Sequence, residues 1–477
     1  MTVIKEILQL KFGFEEFKIG QEETIEALLR KENTFTILPT GTGKSLCYQL
    51  PSYLFEGHTI IVSPLISLME DQVAQLREMG EKSVIALNST LDYSSKQYVL
   101  SHLHEFKFIF ISPETLNQKE VLNQFLNLKI SLFVIDEAHC ISEWGHDFRP
   151  SYLELKTILK KLNHPLTLAL TATATTSVAK DIENEIFSSG KITRFSYSVN
   201  RENIFYKVQS CEDKVEYLQE FLSDKNIPGI VYFSSKKEAE RVSSILNSSL
   251  PYPVAFYHGD VSATDRMKIQ QQFIKDDIRV LCATSAFGMG VNKKNVRFVI
   301  HYHLPDSLEN YVQESGRAGR DGKQSISILL YQPGDERIHY YLQEESFNQK
   351  RDLLFLKDKT KEELQKYETI LTDIQKKWLT QLENNDWDWE LFERNLNLKQ
   401  FEKKSKTIRM SEYINSSICR RQFILNYFSD TYQKIEQPIC CDVCQEELPE
   451  LHSNVEEFDE EKKELNSKEI LKKLFLI

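Results

Sequence analysis

The 477-residue chain has no apolar run near the roughly 20 residues needed to cross a bilayer, so an integral membrane protein is not expected. Its N-terminus, MTVIKEILQLKFGFEEF, carries early acids and no small-residue cleavage site, so export is not expected either and a cytoplasmic location is. Basic residues are in deficit, with 59 Lys and Arg against 70 Asp and Glu, a net charge of −11. That deficit argues at first sight against nucleic acid as a partner. However, ten acids and five bases in 446–477 supply nearly half of it, and a local groove can be basic within an acidic protein. The charge therefore limits nucleic-acid binding to few, salt-sensitive phosphate contacts without excluding it. With 41% hydrophobic and 27% charged residues the chain is globular, and its length suits two to four domains at roughly 100 to 200 residues each.

A disulfide framework is also missing. Cys47, Cys140, Cys211 and Cys282 are scattered, and such lone cysteines are usually small, inert packing residues. Cys419, Cys440, Cys441 and Cys444 fall close together, and without an export signal a metal site is the better reading of them.

Near-continuous apolar runs alternate with amphipathic helical stretches. They are 34–38, 59–63, 108–112, 131–136 and 166–171, then 229–233, 254–259, 280–284, 298–302 and 325–330. Runs of this kind predict parallel strands covered on both faces, in two consecutive α/β halves joined by a linker at 200–211. After about 335 the strand pattern stops. Residues 336–410 contain no Pro or Gly and predict long helices.

Three blocks carry chemistry. The first strand runs into Pro39-Thr40-Gly41-Thr42-Gly43-Lys44-Ser45, where backbone N–H groups ahead of a helix form an anion cradle. Lys44 supplies charge to the β and γ phosphates of ATP, and the Ser45 hydroxyl is a ligand for Mg²⁺. The strict phosphate-loop pattern fails only at Leu38. At the end of the run 131–136 lie Asp136, Glu137, Ala138 and His139. Asp136 is expected to hold Mg²⁺ and Glu137 to orient the attacking water, the plain alternative being an acidic pair that caps a helix. In the second half, Arg317 and Arg320 on a Gly-spaced turn, QESGRAGR, are expected to reach the γ phosphate, the alternative being a charged surface turn.

These blocks resemble a superfamily-2 helicase, and flanking residues narrow the resemblance to the RecQ family. FGFEEFKIGQ (12–21) is similar to that family's N-terminal motif, which implies that Gln21 reads adenine. VSPLISLMEDQV (62–73), LALTATAT (168–175), IVYFSSKKEAE (230–240), FYHG (256–259) and ATSAFGMGVNKKNVRFVIHY (283–302) resemble further helicase motifs. CISEWGHDFRPSY (140–152) resembles the family's aromatic-rich loop, in which Trp144, His146, Phe148 and Arg149 would stack on single-stranded DNA and couple its occupancy to hydrolysis. Thr171 and Thr173 would bridge the two halves or are plain β-branched residues at a strand end, and Asn292, Lys293 and Lys294 are weighed as phosphate contacts against an ordinary solvated face.

Residues 418–444 resemble the RecQ zinc module, in which Cys419, Cys440, Cys441 and Cys444 would bind one Zn²⁺. The family pattern has a cysteine where this chain has Pro438, with Cys440 the candidate replacement. Four thiolates, three thiolates with water, and no metal all remain open.

The resemblance implies an α/β fold: two tandem RecA-like parallel-sheet domains (1–198 and 199–335), a helical segment (336–410), a small zinc-binding module (411–446) and an acidic tail (447–477). It further implies a 3′ to 5′ DNA helicase of repair and recombination, nucleoid-associated, acting on single-stranded, tailed or forked DNA. The tail would be the docking segment for DNA-repair proteins. Only 33 residues follow Cys444, too few for the family's usual winged helix. A DNA-stimulated translocase that unwinds poorly is the runner-up, and an ATP-regulated nucleic-acid scaffold the reading from another class.

Overall fold

The computed structural model describes residues 3–88, 91–142, 150–187, 191–288, 293–357, 370–384, 387–430 and 440–451, with Lys359, Glu363 and Tyr367. The first domain is a seven-stranded sheet built from β1 (Asn33–Ile37), β2 (His58–Val62), β3 (Val84–Leu87), β4 (Phe108–Ile111), β5 (Ile130–Ile135), β6 (Thr167–Thr171) and β7 (Ile192–Ser196). All pairings are parallel and the order is β3-β4-β2-β5-β6-β1-β7. The two-residue alternation of a strand explains why it is buried on both faces. Phe35, Ile60, Ile109, Phe133 and Ala169 enter one core, while Ile61, Phe110, Val134 and Leu168 enter the other.

The second domain repeats the plan with β8 (Ile204–Ser210), β9 (Gly229–Tyr232), β10 (Val254–Tyr257), β11 (Val280–Ala283), β12 (Phe298–His301) and β13 (Ser325–Tyr331). Its parallel order is β10-β11-β9-β12-β13-β8. Every run expected to be a strand is one. The expected linker at 200–211 is corrected, because most of it is β8, paired along its length with β13. IFYKVQS mixes polar and apolar residues as an edge strand does, and β7, ITRFS, was missed for the same reason. The true connection is the short stretch between Ser196 and Ile204.

The chain then turns helical, with Arg337–Arg351, Asp373–Asn384 and the 27-residue helix Trp389–Asn415. Leu353, Leu356, Leu371, Leu382, Trp389, Phe392 and Leu396 give this segment a core of its own. The long helix runs unbroken past position 410, and Met410, Tyr413 and Ile414 join the second domain's core beside Ile424, Leu425 and Cys441 of the cysteine-bearing segment. Leu448 and Leu451, at the start of the expected acidic tail, pack against the opposite core of the same sheet. No described helix is long and apolar enough to cross a membrane.

Candidate active site and metal centre

The phosphate loop leaves β1 with Gly41 and Gly43 in the left-handed region (φ 86° and 75°), a conformation that side chains disfavour. Ser45 then precedes the helix Leu46–Leu54, so the turn's N–H groups face the same space as a helix N-terminus. Buried Gln21 donates its side-chain amide to Thr42 O (2.6 Å) and Gly43 O (3.1 Å), and its Oε1 accepts Lys18 N–H (2.9 Å). Gln21 thus braces the loop. Lys18 Nζ adds a bond to Gly41 O (3.0 Å).

Asp136 and Glu137 follow β5. Glu137 adopts φ 48°, a left-handed turn directly after the strand. Asp136 Oδ1 accepts the Glu137 N–H (3.0 Å), and Lys44 Nζ lies 3.8 Å from Glu137 Oε1. Burial, then the Glu137 charge, pushes the Asp136 carboxyl up to about 7, and Lys44 partly opposes this. Glu137 Oε2 is buried and accepts no hydrogen bond from the described residues. An unsatisfied carboxylate oxygen beside a raised-pKa carboxyl suits a divalent cation and its waters.

A Mg²⁺ ion held at Asp136 would compete with a proton for it. Its apparent affinity should rise about tenfold between pH 6 and pH 8, since roughly a tenth of a carboxyl is ionised one unit below its pKa and about nine-tenths one unit above. A Mg²⁺ titration of nucleotide-bound protein at the two pH values checks this, and equal requirements would refute it. The fold responds the other way. A carboxyl raised in the folded state stabilises it in acid, and that contribution fades as pH rises from the ordinary carboxylate range towards 7.

Thr171 and Thr173 were weighed as a bridge between the domains against β-branched residues at a strand end. Both are buried at the end of β6, where Thr171 Oγ1 bonds His139 Nδ1 (2.9 Å) and Thr173 O (3.1 Å). His139 Nδ1 lies 3.4 Å from Glu137 Oε2, so the threonine orients the carboxylate box from within its own domain.

The arginine turn follows the helix Leu308–Ser315 and meets the phosphate loop directly. Thr40 Oγ1 donates to Gly316 O (3.2 Å), and a Cβ on Gly316 would fall 2.1 Å from that hydroxyl, so only glycine permits the approach. Arg317 donates to Gly288 O. Burial, then the nearby Arg317 and Arg201 charges, lowers Arg320 to about 9. The cleft thus gathers Lys44, Arg201, Arg317 and Arg320 against two carboxylates, an environment that favours a polyanion.

The blocks did not reveal Arg201. Its guanidinium bonds Thr40 O and Gly316 O (both 2.9 Å), Ala318 O (3.1 Å) and Gly319 O (2.7 Å). A lone arginine in a connection carries no sequence signal, and backbone carbonyls have none to offer. Lys293 corrects an expectation in the other direction: it is buried and donates to Asp276 Oδ1 (2.8 Å) and Ile274 O (3.3 Å), a structural lysine rather than a phosphate contact. Lys294 is exposed, and its charge adds to the burial that lowers the Lys18 pKa. Asn292, Trp144, His146, Phe148, Arg149 and Pro438 lie outside the described residues.

The four sulfurs of Cys419, Cys440, Cys441 and Cys444 lie within 4.8 Å of one another. Cys419–Cys440 is 3.4 Å, Cys419–Cys441 3.7 Å and Cys441–Cys444 3.5 Å. Four sulfurs about 2.3 Å from a tetrahedral Zn²⁺ would be about 3.8 Å apart, so the residues fit that ion. Hydrogen bonds from its neighbours hold the Cys419 thiol far below its ordinary value and push Cys440 far above it, while burial carries Cys444 up to about 12. Adjacent Cys440 and Cys441 both reach the cluster. Their segment is pinned to β8, with Tyr206 N–H bonding Cys440 O (3.3 Å) and Asp442 N–H bonding Tyr206 O (3.0 Å).

A DEAD/DEAH box helicase family matches residues 18–182, a helicase conserved C-terminal domain 213–322, and a RecQ zinc-binding family 377–445. The probable ATP-dependent DNA helicase RecS of Bacillus subtilis is 43% identical over 461 residues, covering 93% of this chain and 92% of that protein. The ATP-dependent DNA helicase RecQ of the same organism is 41% identical, over 72% of this chain and 59% of that protein. That of Pasteurella multocida is 35% identical, over 92% and 62%. Among solved structures, the Mycobacterium smegmatis helicase Lhr bound to ssDNA and AMP-PNP superposes with a TM-score of 0.59 at 19% identity, over 70% of this chain and 48% of that one. A likeness at that identity speaks to the fold alone.

Proposed function

We propose that this chain, a member of the RecQ family of ATP-dependent DNA helicases, hydrolyses ATP in the interdomain cleft to move 3′ to 5′ along single-stranded DNA and open tailed or forked duplexes in repair and recombination. The observation that carries the reading is the meeting of Lys44, the Asp136–Glu137 pair and the 316–320 turn in one cleft built from both domains.

The backbone at Thr40, Gly41, Thr42 and Gly43 would cradle the phosphates, with Lys44 charging the β and γ positions. Ser45 and Asp136 would hold Mg²⁺, which neutralises developing phosphate charge when bound. Glu137, oriented by His139, takes the water's proton, while Arg317 and Arg320 stabilise the γ phosphate. As the family resemblance implies, Gln21 would read the adenine edge, its amide leaving the loop carbonyls it braces here. A triphosphate satisfies the clustered cations and holds the domains together. Phosphate release returns the cationic turn and the cradle to mutual repulsion, so each turnover changes the domain spacing and advances the strand.

Trp144, His146, Phe148 and Arg149, a few positions after Glu137 in the sequence, would supply stacking faces and a phosphate contact. Trp144→Ala should keep ATP binding and lose stimulation by DNA, and full stimulation would defeat the coupling role. Polarity, the repair setting, nucleoid association and tail-borne protein partners are taken from the family resemblance. The discriminating experiment compares ATPase stimulation by single-stranded DNA and RNA, alongside unwinding of a 3′-tailed duplex. Stimulation by DNA with unwinding supports the proposal, stimulation without unwinding selects a translocase, and stimulation by RNA alone overturns it.

A further inference from the structure

Arg201 sits on the short connection between β7 and β8 and ties together parts of the cleft that the two domains supply separately. Its Nη1 bonds Thr40 O of the phosphate loop and Gly316 O of the arginine turn, and its Nη2 bonds Ala318 O and Gly319 O of that turn. A planar guanidinium with donors on a rigid fork can meet four carbonyls at once, whereas an ammonium offers at most three bonds with no fixed plane. Neighbouring Asn203 adds Nδ2 bonds to Gly319 O and Lys323 O (both 2.8 Å), so the connection holds the turn from two residues.

The backbone carrying Arg201 is itself held from the cysteine-bearing segment. Arg421, two positions after Cys419 and 6% exposed, donates Nη1 to Asn200 Oδ1 (2.6 Å) and Arg201 O (2.7 Å). Its Nη2 donates to Ile204 O (2.7 Å) and Glu202 O (3.4 Å). Asp430 Oδ2, beyond the same helix, accepts the Val199 N–H (3.1 Å). A continuous chain of bonds therefore runs from the thiolate cluster through Arg421 and the connection to Arg201, and from there to both walls of the nucleotide cleft.

We propose that Arg201 is a positioning residue for ATP hydrolysis, seating the Arg317–Arg320 turn against the phosphate loop, and that Arg421 fixes the backbone from which it works. The zinc module thereby sets the geometry of the nucleotide cleft as well as the stability of its own segment. This rests on the ATPase reading above and assigns a further residue to the same site.

The test is a double-mutant cycle on the full chain, reading the kcat of DNA-stimulated ATP turnover. If Arg201 acts by placing Arg320, Arg201→Ala should cost up to ~10²-fold in kcat, the scale of a roughly 1 Å misplacement. The Arg201→Ala/Arg320→Ala double variant should then fall no lower than Arg320→Ala alone, and Arg201→Lys should recover part of the loss. Arg421→Gln should reduce kcat in the same direction with zinc retained at one equivalent, measured by metal analysis on the assayed sample. Losses that multiply in the cycle would overturn the placement role, because a general loss of structure is indifferent to Arg320. Wild-type turnover in Arg421→Gln at full zinc would overturn the link to the module. A wild-type chain without DNA-stimulated turnover would overturn the ATPase reading itself, a result distinct from either.

Discussion

Lys44→Ala should reduce DNA-stimulated ATP turnover by ~10³-fold or more, on the order of 4 kcal/mol of transition-state stabilisation. Two losses combine. The ammonium would be the loop's point charge for the β and γ phosphates. It also lies 3.8 Å from Glu137 Oε1 and holds down the pKa of Asp136, which burial and Glu137 push up to about 7. Without Lys44 the Asp136 carboxyl rises further, so Mg²⁺ must displace a more tightly held proton. The variant should therefore need more Mg²⁺ as well as turning over slowly. The fold should be little affected, because Lys44 is only partly buried and its pairing distance is long. Steady-state phosphate release with a thermal melt on the same sample checks both points; a variant retaining a tenth of wild-type turnover would defeat the assignment.

The second large effect concerns the thiolates. Purified protein should contain one equivalent of zinc, and less than half would defeat the four-thiolate site. Cys441→Ser should lose the metal and destabilise the second domain. Cys441 is fully buried, accepts the Arg420 N–H at its sulfur (3.4 Å), and belongs to the core that also holds Tyr206, Tyr311 and Tyr413. Zinc binding is worth about 10 to 16 kcal/mol in small peptides that fold only with metal. Here the domain has its own sheet and core, so only part of that appears, about 3 kcal/mol or more, or roughly 6 to 12 °C in melting temperature for a domain of this size. The loss should also reach the cleft, since Arg421 leaves the same helix to hold the connection. A melt within a degree or two of wild type would refute the structural role.

Much of the candidate site was legible because its determinants are local. A glycine-spaced turn between a strand and a helix fixes its own N–H directions within a few residues, so GTGKS announces a cradle wherever it falls. A carboxylate pair at the end of a buried strand is placed by the strand, as Asp136 and Glu137 are by β5. The same locality made the ten apolar runs legible as strands, while the mixed strands β7 and β8 were not, because an edge strand needs only one apolar face.

The residues whose role the sequence left open are those that depend on a distant partner. Thr171, weighed as a bridge or a plain strand-end residue, serves His139, and Lys293, weighed as a phosphate contact or a solvated charge, serves Asp276. Cys440, the candidate replacement for the cysteine absent at 438, reaches the cluster because a strand-like pairing at Tyr206 carries its segment there. Arg201 was invisible because its partners are carbonyl oxygens. Every residue has one, so residue type cannot say which will be left facing the cleft.

By itself, then, the sequence determined the two parallel sheets, the phosphate loop, the carboxylate box, the paired arginines and the clustered thiols, since each is written in a short window by side-chain type and period. Only the tertiary structure decided that these pieces share one cleft, that Gly316 lets the arginine turn touch Thr40, and that Arg201 and Arg421 join the metal centre to it. Those contacts join residues more than a hundred positions apart through backbone groups common to all residues, and only the folded packing selects among them.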